Sequence, residues 1–227
     1  MSRGIRIPIA LAAAVTNGIC QSQTPTGAGN LTINGSLATA GVATLATAGT
    51  NIARQVLLTF AADESAKTFT LYGTDTSGNT ISETVTGTAS TAVSQLMYVT
   101  LTQVAVSAAT AAAVVVGTNG VGATCWVPMD SDRIGAAWSL GSVIPSGVSA
   151  NVMPQCTLDP LSPGEEGLWM SAISTTFIAP TPYDLEASAL TASKLTYGVF
   201  PVHGVRLLIN SGATSTIYFD VVQQGLM

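Results

Sequence analysis

Two pairs of adjacent acidic residues are the first candidates for chemistry in this chain. Asp63-Glu64 and Glu165-Glu166 each bring two carboxyl groups together, and carboxyl pairs carry out general acid and base catalysis in glycoside hydrolysis. The members of such a pair must flank the substrate from separate positions, about 5–9 Å apart. Consecutive residues do not provide that arrangement, and Glu165-Glu166 lies in a Pro- and Gly-containing segment typical of a solvated loop. We therefore predict no hydrolytic centre at either pair.

His203 and the three cysteines are the other candidates. A nucleophilic centre at His203 would need a positioned Ser and an acid, and the sequence has no Gly-x-Ser-x-Gly elbow. Cys20, Cys125 and Cys156 form no Cys-x-x-Cys pair, and a single histidine cannot complete a zinc site of two cysteines and two histidines. We interpret His203 as a structural or interface residue. We predict three free thiols, as expected of a protein made in a reducing cytosol.

Short loop motifs resemble ligand-binding loops only in part. Asp75, Ser77 and Asn79 alternate oxygen-bearing side chains, but position 12 counted from Asp75 is Thr86, where an EF-hand has a bidentate Glu. The glycine-rich residues 117–122 (GTNGVG) and 27–30 (GAGN) lack the Lys-Ser/Thr that follows in a phosphate-binding loop. These segments predict turns and linkers. The sequence thus predicts no catalytic, cofactor-binding or metal-binding residue, no cofactor and no enzyme.

The low content of charged residues limits the kinds of partner that this protein can bind. Only 8% of the 227 residues are charged, the net charge is −5, and the seven Lys and Arg residues are scattered singly. Neutralising nucleic-acid phosphates takes a cluster of cations, so direct nucleic-acid binding is not expected. A surface this poor in charge tends to associate, which favours a protein covered by other subunits. A monomer with Thr- and Ser-rich outer faces is the alternative.

Residues 1–15 are interpreted separately. Arg3 and Arg6 precede an apolar run, residues 7–15 (IPIALAAAV), that imitates a secretory signal with a cleavage site among Ala12, Ala13 and Ala14. The run is too short to span a bilayer, and no membrane partner is expected. We predict an uncleaved arm that is ordered by docking on a neighbouring subunit.

The elements that would position these residues are strands. In residues 68–87 (TFTLYGTDTSGNTISETVTG), apolar and polar side chains alternate on both sides of the turn at residues 75–79, which is the pattern of a β-hairpin. Other strand-like runs are residues 30–36, 54–60, 94–108, 114–116, 135–140, 148–158, 168–177, 202–210 and 214–223. The pattern predicts an all-β fold, β-sandwich or jelly-roll-like. The expected division is an arm and linker over 1–29, a β-sandwich domain over 30–128 and a second β domain over 129–227.

The hairpin also carries a family resemblance. Residues 73–87, with their Gly-Thr-Asp-x-x-Gly-Asn-x-Ile-x-Glu-Thr-Val-Thr-Gly pattern, resemble a hairpin of small β-rich structural proteins in tailed-bacteriophage virions. Further segments resemble the same proteins in the same order: residues 23–35, 54–56, 101–126 and 206–225. Residues 1–20 depart from the family pattern. The resemblance covers most of the chain from residue 23 onward.

The resemblance implies a capsid decoration (cement) protein, made in the host cytoplasm and located on the exterior of the virion capsid. Its partners would be the major capsid protein and further copies of itself. A head–tail neck or tail component of the virion is an alternative within the same class. A secreted adhesin or carbohydrate-binding module is the alternative of a different class, although Trp126, Trp138 and Trp169 look like core residues. The family offers no catalytic residues to carry over.

Overall fold

The computed structural model describes residues 3–46, 52–129, 137–159, 161, 180–198, 201–211 and 216–223. Within those ranges the chain forms strands and no helix, which confirms the predicted all-β class. The strands are β1 (Arg3–Ile9), β2 (Cys20–Gln23), β3 (Gly29–Asn30), β4 (Ala38–Thr39), β5 (Val42–Thr44), β6 (Ala53–Phe60), β7 (Thr68–Thr74), β8 (Thr80–Thr86), β9 (Thr91–Val93), β10 (Thr100–Val106), β11 (Val114–Ala123), β12 (Val127–Pro128), β13 (Trp138–Val143), β14 (Asn151–Thr157), β15 (Tyr183–Asp184), β16 (Lys194–Gly198), β17 (Gly204–Ser211) and β18 (Ile217–Gln223).

The strands belong to two compact units. One unit is Ala13–Gly122; the other combines Met1–Ala12 with Ala123–Met227. The sequence-based division instead assigned residues 1–29 to an arm and linker and began the second β domain at residue 129. The predicted strand at residues 168–177 lies outside the described residues.

In the unit Ala13–Gly122, one sheet has the order β4-β5-β10-β7-β8, with β3 also pairing with β10. The hairpin of β7 and β8 is regular, from Thr68 opposite Thr86 to Thr74 opposite Thr80. Its alternation places Phe69, Leu71, Ile81 and Val85 inside and the threonines outside. Strand β11 lies beside β6, which pairs with β9, and β2 pairs with β11. Phe60 of β6 packs against Phe69 with ring centroids 5.1 Å apart, so side chains of both groups of strands share this core.

In the unit that includes Ala123–Met227, one sheet has the order β1-β18-β13-β16 and is antiparallel throughout. Its inner face carries the buried side chains of Ile9, Phe219, Trp138 and Leu140. Gly198 of β16 lies directly opposite Trp138. A Cβ atom at Gly198 would collide with the indole ring, so only glycine leaves room for the tryptophan. A second group of strands places β14 between β15 and β17, and β12 also pairs with β17.

The structure corrects the prediction that the arm docks on a neighbouring subunit. Residues 3–9 form β1, which pairs with β18 of its own chain over seven positions, from Arg3 opposite Gln223 to Ile9 opposite Ile217. Arg6 donates two hydrogen bonds to the Asp220 carboxylate, at 2.7 and 2.6 Å. The sequence argument missed this pairing because its partner lies more than 200 residues away. Pro8 is compatible with a strand here because β1 is at the edge of the sheet.

Candidate functional site

The described carboxylates are all engaged within the protein. Each of them accepts at least one hydrogen bond from another residue: Asp63, Glu64, Asp75, Glu83, Asp159, Asp184, Glu186 and Asp220. Backbone N–H groups of loops donate to Asp63, Glu64, Asp75, Glu83 and Asp159, whereas Asp184, Glu186 and Asp220 accept from side chains. These acids therefore fix loops and strand ends, and each does so at a different place in the structure.

The predicted acid pair at residues 63 and 64 separates into two unrelated roles. The Asp63 side chain accepts a hydrogen bond from the Ser65 N–H at 2.9 Å in an exposed turn. Glu64 is fully buried, and its Oε1 accepts hydrogen bonds from the N–H groups of Ala111 and Ala112, at 2.7 and 3.1 Å. Its Oε2 lies 2.6 Å from Nζ of Lys67. The two carboxylates do not face a common space, as expected for consecutive residues. Glu165 and Glu166 lie outside the described residues.

The turn at residues 75–79 forms as predicted. Asp75 Oδ1 accepts hydrogen bonds from the N–H groups of Ser77 and Asn79, at 2.8 and 2.9 Å. The Asn79 side-chain amide donates to the other oxygen of the carboxylate, at 3.1 Å. Gly78 has φ of +83°, a left-handed conformation that glycine adopts without strain. The oxygens of Asp75 are thus occupied by hydrogen bonds of the turn itself.

The turn predicted within residues 117–122 is wrong, because these residues continue β11. Gly117 lies against the backbone of Val15 and Thr16, where any Cβ atom would collide. Asn119 donates a side-chain hydrogen bond to Gln55 Oε1 at 2.9 Å. Close backbone approach is therefore the physical reason for a glycine in this segment. Sequence reasoning took the same glycine as a sign of a turn.

His203 and the three cysteines do not form a common metal site among the described residues. The His203 N–H donates to the Thr157 carbonyl, its carbonyl accepts from the Met129 N–H, and its side chain is exposed. All three cysteines are free, with Cys20 and Cys156 buried and Cys125 half-buried. Burial raises the pKa of Cys20 to about 12 and also raises that of Cys125 and Cys156. The described residues contain no group of three or more His, Cys, Asp or Glu side chains that could hold a metal ion.

Arg54 shows how this protein uses a buried cation. Its side chain is 1% exposed, and its guanidinium donates to the carbonyls of Ala13 and Asn119, at 3.2 and 2.9 Å. Burial lowers the pKa of Arg54. The guanidinium joins two segments that are far apart in sequence, so this cation has a structural role.

The tryptophans bear on the sugar-binding alternative. Trp138 is 3% exposed and belongs to the core. Trp126 is half-buried, and the guanidinium carbon of Arg206 lies 4.4 Å from the centre of its ring. Arg206 is also held by Gln155, whose Oε1 accepts from its Nε at 2.9 Å. These two rings are already covered by protein, and Trp169 lies outside the described residues. An exposed aromatic platform for a sugar is not formed by Trp126 and Trp138.

The candidate site is the outer face of the sheet β1-β18-β13-β16. We call this surface the neutral face. It comprises Arg6 and Pro8 of β1, Tyr218, Asp220 and Val222 of β18, Ser139, Gly141 and Val143 of β13, and Leu195 and Tyr197 of β16, as the strand registers and the burial pattern require. A shallow groove of about 430 Å³ runs along it, with Ser139, Gly141 and Val143 among its lining residues. Gly141 is flanked by Leu195 and Asp220 on the neighbouring strands, and its missing side chain leaves the middle of the groove open.

The charges near this groove are paired. Hydrogen bonds from Arg6 hold the pKa of Asp220 below its usual range, and the Arg6 guanidinium carbon also lies 5.3 Å from the centre of the Tyr218 ring. Lys194 Nζ lies 2.5 Å from Glu186 Oε2. Tyr197 and Leu195, at 78% and 64% exposed, are the most exposed of the large apolar side chains described. The neutral face thus offers hydrogen-bonding hydroxyls and apolar surface while its neighbouring charges already have partners.

Sequence reasoning did not identify this face. Its members come from four strands that are distant in the chain, and only one of the four, β18, lies in a segment that resembles the virion proteins. The one usable signal was the alternation of Leu195 and Tyr197 with Thr196 and Gly198 in a short run, which marks a strand with an apolar outer side.

In comparisons with known proteins, the chain matches no protein-family model, no curated protein and no solved structure. The resemblance to phage virion proteins therefore stays a prediction from the sequence. In the described parts of the chain, no helix is long and apolar enough to cross a membrane.

Proposed function

We propose that this chain is a non-enzymatic structural protein of a tailed-phage virion, a decoration protein that binds the major capsid protein on the outside of the shell. The observation that carries the proposal is the internal use of charge. Each described carboxylate is hydrogen-bonded within the protein, so the exposed strand faces present Thr, Ser and apolar side chains beside charges that already have partners. Such faces favour contact with other subunits, because burying them desolvates few unpaired charges.

The protein would stabilise the shell through the sum of its contacts with several shell subunits. A protein that binds only the assembled shell stabilises the assembled state by mass action, in proportion to its affinity and free concentration. A β fold suits this role, because its sheets hold the contact residues at fixed spacing and lose little entropy on binding. The net charge of −5 would keep an outward-facing protein from being attracted to the packaged genome.

Within this proposal the neutral face is the attachment surface. Its groove between Leu195 and Asp220 is open to an extended neutral segment of the shell protein. The contact would be made by hydroxyl hydrogen bonds and apolar packing, since Arg6–Asp220 and Lys194–Glu186 are already paired. Salt should then weaken attachment little, because screening acts mainly on exposed charges.

The test is the heat stability of capsids with and without the protein, at low and high salt. Bound protein should raise the temperature at which capsids release their DNA, and the increase should persist at high salt. Equal melting with and without the protein would remove the decoration role, and a single ring of copies at one vertex would support a neck or tail component instead.

Two matched variants locate the contact. Ser139→Lys places a cation in the groove, whereas Ser82→Lys places one on an exposed position of β8 in the other unit. Loss of attachment in Ser139→Lys alone supports the neutral face. Loss in Ser82→Lys alone would move the attachment surface to the unit Ala13–Gly122 and leave the decoration role standing.

A further inference from the structure

Among the described strands, β16 is the last strand of the sheet that carries the neutral face. It pairs with β13 over five positions without a bulge, from Trp138 opposite Gly198 to Ser142 opposite Lys194. None of the described strands pairs with its other side. An edge strand presents a row of backbone N–H and C=O groups that can pair with another chain.

The two edges of this sheet differ in how they are protected. The opposite edge, β1, carries Arg3, Arg6 and Pro8, and charges and proline are the usual means of blocking edge-to-edge pairing. Strand β16 carries one charge, Lys194, at its end, and that charge is paired with Glu186. Its outer side is formed by the exposed Leu195 and Tyr197. Strand β1 thus carries a proline and two cations, whereas β16 has a regular register, a single lysine at its end and two exposed apolar side chains.

We propose that β16 pairs with β16 of a second copy of this chain, antiparallel about a twofold axis at Thr196. The strand is complementary to itself in this register. Leu195 would lie opposite the partner's Tyr197, an apolar–aromatic cross-strand pair of the kind that stabilises sheets. Lys194 would lie opposite the partner's Gly198, so like charges do not face each other. The inner side of the strand stays as it is, with Thr196 bonded to Glu186 and Gly198 against Trp138.

The pairing would join two four-stranded sheets into one continuous sheet of eight strands. Five residues from each copy make a contact well below the size of a standard stable interface. The contact is therefore weak between free molecules and becomes effective between copies held close together on a common surface. This inference rests on the proposed function, and it assigns a contact to the further copies of the chain that the resemblance to virion proteins implies.

Cysteine pairing tests the register. Residues directly opposite each other across antiparallel strands have Cβ atoms about 4.5–5.5 Å apart, against about 7–8 Å for diagonal neighbours. Leu195→Cys protein mixed with Tyr197→Cys protein should therefore give a disulfide between the two, at least about tenfold more of it than either variant alone. Peptide mapping separates this product from any reaction of the native cysteines. Equal yields in all three samples would overturn the register.

A charge variant tests the pairing itself. Tyr197→Lys should sediment as a monomer at concentrations up to about 1 mM, whereas the unmodified protein should associate there. Tyr183→Lys is the matched control, because Tyr183 is also an exposed tyrosine of an antiparallel strand and lies outside the neutral face. Circular dichroism checks that both variants fold. A monomeric unmodified protein, or one whose association survives Tyr197→Lys, would overturn the inference.

The capsid-binding test distinguishes this failure from failure of the proposed function. Unmodified protein that binds capsids and is still a monomer at about 1 mM refutes β16 pairing and leaves the decoration role. Protein that pairs through β16 and ignores capsids supports the pairing and removes the role.

Discussion

The Glu64 carboxylate lies 2.6 Å from the ammonium group of Lys67, and it is fully buried while the lysine remains partly exposed. The same carboxylate also accepts the N–H groups of Ala111 and Ala112. One side chain therefore fixes a turn of the chain onto a loop more than forty residues away. This arrangement explains why an acid that looked like half of a catalytic pair is a structural residue.

Replacing Glu64 should destabilise the unit Ala13–Gly122. In Glu64→Gln the neutral amide loses the ion pair with Lys67. The single amide oxygen must then accept from Lys67 and from the N–H groups of Ala111 and Ala112, which the two carboxylate oxygens share in the unmodified protein. We expect a loss of about 2 kcal/mol in the free energy of unfolding, the usual cost of leaving buried hydrogen-bonding groups unpaired. Denaturant unfolding measures it. Asp63→Asn is the control and should unfold close to the unmodified protein, since this exposed neighbour accepts a hydrogen bond from one N–H in a turn. Equal losses in the two variants would contradict the structural role of Glu64.

The protein should lose stability in acid. Burial alone would raise the pKa of Glu64, but hydrogen bonds from Lys67 and two backbone N–H groups hold it below its usual range. Side-chain hydrogen bonds likewise lower the pKa of Glu186 and Asp220. A carboxyl group with a lowered folded-state pKa contributes stability above its unfolded pKa of about 4 and loses it as the pH falls through the folded value.

The midpoint of thermal unfolding should thus be steady near neutral pH and fall from about pH 5 down to about pH 2. The Glu64→Gln variant should start lower and decline less steeply, because one of the titrating groups has gone. A midpoint that is unchanged between these pH values would show that these hydrogen bonds do not favour the charged carboxylates.

The cysteines should resist modification in the folded protein. The thiolate is the reactive form, and burial raises the pKa of Cys20, Cys125 and Cys156. With limiting iodoacetamide at neutral pH, the half-buried Cys125 should react before the two buried residues, and all three should react in denaturant. Mass spectrometry after proteolysis gives the order. An intact mass that lacks two hydrogens, with fewer than three thiols available in denaturant, would reveal a disulfide and revive the secreted alternative.

Removing β1 should affect folding as well as any attachment. Deletion of residues 1–12 takes away seven residue pairs with β18 and the buried Ile9, whose burial alone stabilises by about 2 kcal/mol. It also leaves β18 as an unprotected edge, so the shortened protein should melt earlier and aggregate more readily. Thermal unfolding and light scattering measure both effects. The matched variant Arg6→Ala, which keeps the strand, should show a smaller loss. An unchanged melting midpoint after deletion would return these residues to the role of an accessory arm.

Local pattern was sufficient for some of the fold. The hairpin of β7 and β8 could be predicted because its alternation, its turn residues and its pairing all lie within about twenty residues. The all-β class followed in the same way from many short runs of Thr and Val. The role of Gly117 could not be predicted from the sequence. Glycine is needed there because the backbone of Val15 and Thr16, from a distant part of the chain, lies against it.

The candidate site could be predicted less well. The sequence indicated a low-charge surface, but it could not show that Arg6 would meet Asp220 or that Leu195 would lie beside Gly141. Those contacts depend on the order of strands in the sheet, and strand order is decided by packing of the whole unit. The structural roles of Glu64 and Glu83 could not be predicted for the same reason. Their hydrogen-bond partners are backbone N–H groups of loops that come close to these side chains only in the folded protein.

The pairing of β1 with β18 has a consequence for biosynthesis. Strand β1 is translated before the unit Ala13–Gly122 and its partner β18 after it, so the entire unit is made between the two paired strands. That intervening unit can fold while translation continues, but β1 must wait unpaired with Ile5, Ile7 and Ile9 exposed. The positive and proline residues between these isoleucines protect the waiting strand, since they discourage pairing with other nascent chains.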